Sequence, residues 1–263
     1  MNQKLSIIIP AYNEENRIGK TLFNLIDYLE EKKIKAEIIV VDDGSSDHTA
    51  LIVSRFSRLV KLVPVVPNRG KGYAIKAGIL ESKGDLILFM DADLATPLFE
   101  IENILKFQKE SDDIVIGRRD HAAKNVKRTV FRAIAGNVFK FLAGIIVPIS
   151  GVTDTQCGFK LFNHRVASEV FSRVKVERWC FDMEVLYLAQ KLGFSISEMP
   201  ISWEDKSGSK VRMLRDSFLM IKDLLKIRFM DISGAYNVKE LVFKKGQENE
   251  LFGPNQIEKS QEL

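Results

Sequence analysis

DLILFMDADLAT, Asp85 to Thr96, carries five apolar residues in succession and then two aspartates one residue apart. An apolar run of that length between polar residues reads as a buried strand, Leu86 to Met90, and alternation sends Asp91 and Asp93 to one side with Ala92 opposite. Two carboxylates so close repel each other. They stay ionised at neutral pH most easily with positive charge between them, and hard oxygen ligands suit Mg²⁺ or Mn²⁺. An isolated D-x-D reads sooner as a polar loop with an Asp capping the next helix, so the surrounding chain has to decide.

Outward from this stretch the first half of the chain repeats one rhythm of apolar run, polar loop and helical pattern. SIIIP (Ser6 to Pro10), EIIVV (Glu37 to Val41), KLVPVV (Lys61 to Val66), DLILFM and DIVIG (Asp113 to Gly117) read as strands. Ile18, Leu22, Leu25, Ile26 and Leu29 recur at helical spacing, as do Ile101, Ile104 and Leu105. Alternating strands and helices imply an α/β fold with a Rossmann-like, mostly parallel sheet covered on both faces. Ligands in such sheets bind outside the carboxyl ends of the strands. The loops expected there are AYNEE (Ala11 to Glu15), DDGSSD (Asp42 to Asp47), NRGKGYA (Asn68 to Ala74) and DADLAT. Turn chemistry explains one or two such loops easily and all four poorly. Gathered on one rim, they describe a cleft for a charged ligand with a cation.

Beyond Arg119 the pattern changes. A basic linker, RRDHAAKNVKR, leads into Thr129 to Gly151, an apolar stretch interrupted by Arg132, Asn137 and Lys140 and thus too broken for a membrane span. Its apolar side, Phe131, Ile134, Val138, Phe141 and Leu142, suits either a membrane interface or a core helix packed on the sheet. DTQCGFKLF (Asp154 to Phe162) reads as extended, Arg178 to Phe194 as a helix headed by Trp179 and Asp182 and ending at Gly193, and ISEMPISW as an edge strand holding a proline. KSGSKVRMLR precedes a last amphipathic helix, and the polar sequence from about Gly246 reads as a loosely ordered tail. These features predict one domain over residues 1–230, with a first half to 119 and a second from 120, and an extension over 231–263.

The 263 residues carry a formal charge of +4, too little to indicate a nucleic-acid binder. Two cysteines make no disulfide framework and no pair of metal knuckles, which suits a reducing compartment, and His48, His121 and His164 are too scattered for zinc. Cys157 and Cys180 read as buried fillers. No signal peptide is readable before the first strand pattern at Leu5.

In their order, SIIIPAYNEE, VVDDGSSDHT, NRGKGYAIKAG and FMDADLAT resemble the nucleotide-sugar half of the family 2 glycosyltransferases, which have the GT-A fold. DTQCGFKLF, RWCFDMEVLYLA and W-x-x-x-x-G-S-K (Trp203 to Lys210) resemble more narrowly the dolichyl-phosphate β-glucosyltransferases and their polyprenyl-phosphate relatives. The resemblance spans about Lys4 to Phe229. It implies a nucleotide-sugar donor, UDP-glucose above all, bound by Pro10, Ala11, Tyr12, Asn13, Glu14, Asp42, Asp43, Lys71, Asp91 and Ala92. A divalent metal, Mg²⁺ or Mn²⁺, falls to Asp91 and Asp93. Asp93, Asp154 and Asp182 are the acidic candidates for catalysis, and the acceptor phosphate of a polyprenyl or dolichyl lipid falls to Arg118, Arg128 and Lys210, with Arg119, Lys206 and Arg212 as further candidates. The expected location is cytoplasmic, peripheral at the cytoplasmic membrane face. Relatives that use mannose often carry Gln two positions after the second aspartate. Here Ala95 stands there, which leaves water or diphosphate oxygens to complete a metal shell.

Three other readings fit less well. A haloacid-dehalogenase phosphatase wants Thr or Val where Ala95 stands and its D-x-D near the N-terminus. A sugar nucleotidyltransferase wants a glycine-rich basic loop after the first strand, where AYNEE is acidic. A polysaccharide-making member of the same enzyme family wants membrane spans and a Q-x-x-R-W-type motif.

Overall fold

The computed structural model describes residues 4–109, 112–119, 142–204 and 213–236. The elements run β1 (Leu5–Ala11), α1 (Ile18–Glu31), β2 (Ala36–Asp42), α2 (Thr49–Ser54), β3 (Val60–Pro64), α3 (Lys71–Glu81), β4 (Leu86–Met90), α4 (Glu100–Phe107), β5 (Ile114–Arg119), β6 (Phe159–Asn163), α5 (His164–Arg173), α6 (Phe181–Lys191), β7 (Ile196–Ile201) and α7 (Met213–Ile232). The strands form one seven-stranded sheet in the order β3-β2-β1-β4-β6-β5-β7. β6 runs antiparallel to both β4 and β5, while the other pairs are parallel.

Alternation along each strand sorts the core into two layers. Ile7 and Ile9, Ile38 and Val40, and Leu86 and Leu88 point toward α1, α2 and α4. Ile8, Ile39 and Val41, with Ile87 and Phe89, point toward α3, α5, α6 and α7. The second layer holds an aromatic group under the carboxyl edge, with Phe89 6.0 Å from Phe162 and 6.1 Å from Phe181 between ring centres. The central strands β1 and β4 are buried on both faces, which is why they read as unbroken apolar runs.

Two boundaries differ from the sequence reading, each with a physical reason. The extended reading of Asp154 to Phe162 shrinks to a strand from Phe159, because residues 154–158 turn across the carboxyl edge instead of pairing. β5 continues two residues past Gly117 because β7 offers it a parallel partner through Arg119 and Ile201. β7 is an edge strand, as its Pro200 requires. Of the stretch from Thr129 to Gly151, the described end packs Ala143 and Val147 into the core while Ile145 stays exposed; residues 120–141 lie outside the described residues. Tyr236 is buried and bonds Glu184 on α6 at 2.6 Å, which ties the chain to residue 236 into the body.

Candidate active site

The parallel strands β1, β2 and β4 end side by side, and their loops are braced to one another. Asn13 adopts φ +52°, a left-handed conformation that Asn tolerates, and its amide oxygen accepts from Ser46 N at 2.8 Å while its own N–H donates to Ser45 Oγ at 2.8 Å. Glu14 N donates to Thr49 Oγ1 at 2.7 Å, and the Glu14 carboxylate pairs with Arg17 at 2.6 Å. Pro10 and Ala11 close the strand, with Ala11 O accepting from Asp43 N at 2.8 Å. Asp42 is buried and receives Ser45 N at 3.2 Å. Tyr12 presents a 40% exposed ring above this floor.

Asp43 is occupied by its own protein. Its carboxylate accepts Arg69 N at 2.8 Å, Gly70 N at 2.7 Å and Asn68 Nδ2 at 2.8 Å, all from the loop before α3. Burial raises its carboxyl, and the backbone donors of Arg69 and Gly70 together with the charge of Arg178 act against the rise. The loop so held turns at Gly70, φ +112°, where a Cβ would come within 2.6 Å of Glu177 O. The turn delivers Lys71 to the head of α3.

Lys71 Nζ lies 2.5 Å from Asp91 Oδ1. Burial pulls the Lys71 ammonium down, but the charges of Asp91 and Asp182 and the hydrogen bond to Asp91 together outweigh it and hold the group above its usual range. The other side of Asp91 is closed by Gly158, where a Cβ would lie 2.0 Å from Asp91 Oδ2; only glycine lets the carboxylate stand there. Ala92 turns into the core while Asp91 and Asp93 stay partly exposed, as alternation predicts, although the chain has by then left the strand for a turn. Asp93 Oδ1 accepts Ala95 N at 3.0 Å, so the turn chemistry is present too, and Oδ2 is not held by that bond. Among the described residues no three His, Cys, Asp or Glu side chains gather to hold a metal. Two partly exposed carboxylates at the cleft nevertheless fit a hard divalent cation that takes its remaining oxygens from a ligand and water.

The inserted antiparallel strand brings in the remaining charges. Arg119 grips Asp154 with Nε at 2.8 Å, Nη2 at 2.7 Å and its backbone N at 3.0 Å, and lies 5.4 Å over the Trp203 ring. Burial pushes the Asp154 carboxyl up, yet the guanidinium outweighs that and holds it below the usual range. Glu198 on β7 fixes Thr153 and Asp154 through their backbone N–H groups at 2.8 and 2.9 Å. Asp182, at the head of α6, is buried and paired with Lys160, whose side chain has no exposure at all. Cys157 and Cys180 are fully buried, and burial raises both thiols, that of Cys157 to about 11, so neither is a nucleophile at neutral pH.

Of the expected site residues, the structure brings Asp91, Asp93, Lys71, Asp154 and Asp182 to the same end of the sheet. Asp154 and Asp182, the inner acidic candidates for catalysis, stand in ion pairs with Arg119 and Lys160, and burial pushes the Asp182 carboxyl up against the pull of Lys160. Arg118 is exposed on β5, whereas its neighbour Arg119 turns inward to Asp154; Arg128, Lys206, Lys210 and Arg212 lie outside the described residues. Glu204 donates its N–H to Ala95 O at 2.8 Å, beside the D-x-D loop. Lys160 and Gly158 were missed. A lysine at an inward pleat position of GFKLF was the available signal, because a buried ammonium demands a partner.

A GT-A sheet that carries a D-x-D carboxylate pair and a glycine-loop lysine on its carboxyl edge defines a glycosyltransferase. Residues 6–171 match the profile of Glycosyl transferase family 2, and the chain belongs to that family. It is 40% identical to a dolichyl-phosphate beta-glucosyltransferase of Dictyostelium discoideum, over 90% of this chain and 78% of that one. The proteins of the same name from Homo sapiens, 37% identical, and Saccharomyces cerevisiae, 36% identical, align over 90% and 88% of this chain and 79% and 76% of their own. Among solved structures, glucosyl-3-phosphoglycerate synthase of Mycobacterium tuberculosis with Mn²⁺, UDP and phosphoglyceric acid superposes with a TM-score of 0.64 at 18% identity, covering 88% of this chain and 78% of that one. The same synthase with Mg²⁺ and UDP gives 0.64 at 17% identity, over 88% and 79%. At that identity the likeness is one of fold.

Proposed function

We propose that the chain transfers glucose from UDP-glucose to a dolichyl or polyprenyl phosphate, with Mg²⁺ or Mn²⁺ held by Asp91 and Asp93. The observation that carries the acceptor class is the ion pairing of Asp154 and Asp182. A hydroxyl acceptor needs a base, and both inner acids are already engaged, Asp154 by Arg119 and Asp182 by Lys160. A phosphate monoester arrives already ionised and needs none. Its oxygen attacks the anomeric carbon as the bond to the diphosphate oxygen breaks, and UDP leaves with the electron pair. Attack opposite the leaving group turns an α-linked donor into a β-linked product. The cation supplies positive charge to the diphosphate as it departs.

The chain's own residues do the placing. The braced loops of Pro10 to Glu14 and Asp42 to Asp43 form the floor for the nucleoside, and Lys71, beside Asp91, faces the diphosphate. Arg118, with Arg128 and Lys210, is the cation set for the acceptor phosphate. Peripheral contact with the cytoplasmic face of a membrane fits α7, where Leu225, Phe229 and Ile232, spaced for one helix face, are 55, 72 and 74% exposed. Lys222, Lys226 and Arg228 flank them, as an interfacial helix requires. Among the described residues no helix is long and apolar enough to cross a membrane.

The test is a donor panel with purified protein, polyprenyl monophosphate and Mn²⁺, reading nucleoside diphosphate release and lipid-linked sugar by mass. UDP-glucose is expected to give a lipid-phosphate hexose. UDP release only with a hydroxyl acceptor overturns the acceptor class.

A further inference from the structure

Lys160 touches neither donor nor acceptor in the reaction just described, yet it carries a fully buried charge at the active end of the sheet. It sits in β6 between Phe159 and Leu161, with no side-chain exposure. Its ammonium donates to the Asp182 carboxylate and to Cys157 O, the latter at 2.6 Å, and lies 5.2 Å over the Phe89 ring. Burying an ion pair gains little for folding over a well-packed apolar pair, so stability does not call for these two charges.

The neighbours of Asp182 supply a reason. Gly72, next to Lys71, presses its Cα against Phe181, next to Asp182; a Cβ there would lie 2.5 Å from Phe181 Cβ. The heads of α3 and α6 therefore meet, and the Lys71 ammonium feels both Asp91 and Asp182. Lys71 thus has two acids within electrostatic reach, and only Asp91 faces the cleft.

We propose that Lys160 is a positioning residue for donor binding: by taking up the charge of Asp182 it leaves Lys71 to Asp91 and to the donor's diphosphate. This rests on the donor reading above. Burial pushes the Asp182 carboxyl up against the pull of Lys160 and Lys71, so without Lys160 the Lys71 ammonium is the charge left to hold it ionised. Lys71 is then drawn inward, away from the diphosphate. Removing Asp182 as well takes away the competitor and returns Lys71 to the cleft, which a role confined to packing would not do.

The experiment is calorimetric titration of UDP with Mn²⁺ into the full chain and into K160M and K160M/D182N. K160M is expected to bind UDP about tenfold more weakly, a loss of about 1.4 kcal/mol, and the double variant to return to within about threefold of wild type. Wild-type affinity in K160M overturns the proposal, and so does a double variant as weak as K160M. If K160M does not fold, the double variant, which buries no unpaired charge, decides alone: tenfold weakening there overturns the proposal, and near-wild-type affinity sustains it. A wild-type chain that fails to bind UDP removes the donor reading and this inference together, whereas wild-type binding with an unmoved K160M removes the inference only.

Discussion

Asp43 and Asp91 close the same kind of loop, after neighbouring regions of one parallel sheet, and their surroundings are opposite. Asp43 is buried and receives three N–H donors from Asn68, Arg69 and Gly70. Asp91 is partly exposed, matched by one movable ammonium, and flanked by a glycine that gives it room. A carboxylate held by fixed donors braces the backbone that supplies them, and a ligand reaches only the lone pairs they leave. A carboxylate matched by a lysine side chain can exchange that partner for a cation. The same residue type at the same end of the sheet therefore braces a loop in one place and stands open to exchange its partner in the other.

The sharpest way to break this contrast is to neutralise each acid and ask which property falls. D91N is expected to lower kcat/KM by about 10²–10³-fold, the scale of losing one preorganised charge partner, with the unfolding midpoint in urea unchanged. Steady-state kinetics across Mn²⁺ concentration read it; a variant that keeps its activity ends the assignment of Asp91 to the cation. D43A should behave the other way. Three donors lose their acceptor, which at about 1 kcal/mol each costs about 3 kcal/mol of stability. Urea unfolding reads that loss, and an unaltered midpoint would show that the loop before α3 stands without Asp43.

The alternation of apolar runs with polar loops in the first 119 residues was enough to read the sheet, its two covered faces and the edge that carries the site. The contrast between Asp43 and Asp91 was not legible, because it depends on donors from residues 68–70 and on a glycine at 158, far away in the chain. β6, read only as an extended stretch, kept its direction hidden for a similar reason. Its five residues pair with β4 and β5 only after the intervening chain returns, and nothing local announces that it runs antiparallel. The choice between Arg118 and Arg119 hinged on two residues of strand length. With β5 ended at Gly117 the pleat says nothing of either. With it extended, Arg119 shares the side of Gly117, which faces Cys157 and the 154–158 loop.

Asp154 offers a third way of holding a carboxylate, by a fixed cation, and its pH dependence separates it from the other two. Its folded carboxyl lies below the ordinary value because Arg119 outweighs the effect of burial. The unfolded chain therefore takes up the proton first as pH falls. The stabilisation is complete above the unfolded pKa of about 4 and is lost as pH falls through the lower folded value. Arg119 does not titrate in this range. R119M leaves Asp154 half-buried and unpaired, a cost of about 2 kcal/mol at neutral pH on the scale of a hydrogen bond to a charged group, and burial then raises its carboxyl instead of lowering it. The stability gap between wild type and R119M should consequently be widest at neutral pH and narrow below about pH 4. Urea unfolding of both proteins from pH 7 to pH 3 measures the gap directly, and one that stays constant over that span would mean that Arg119 stabilises this end of the sheet by packing on Trp203 and not by its charge.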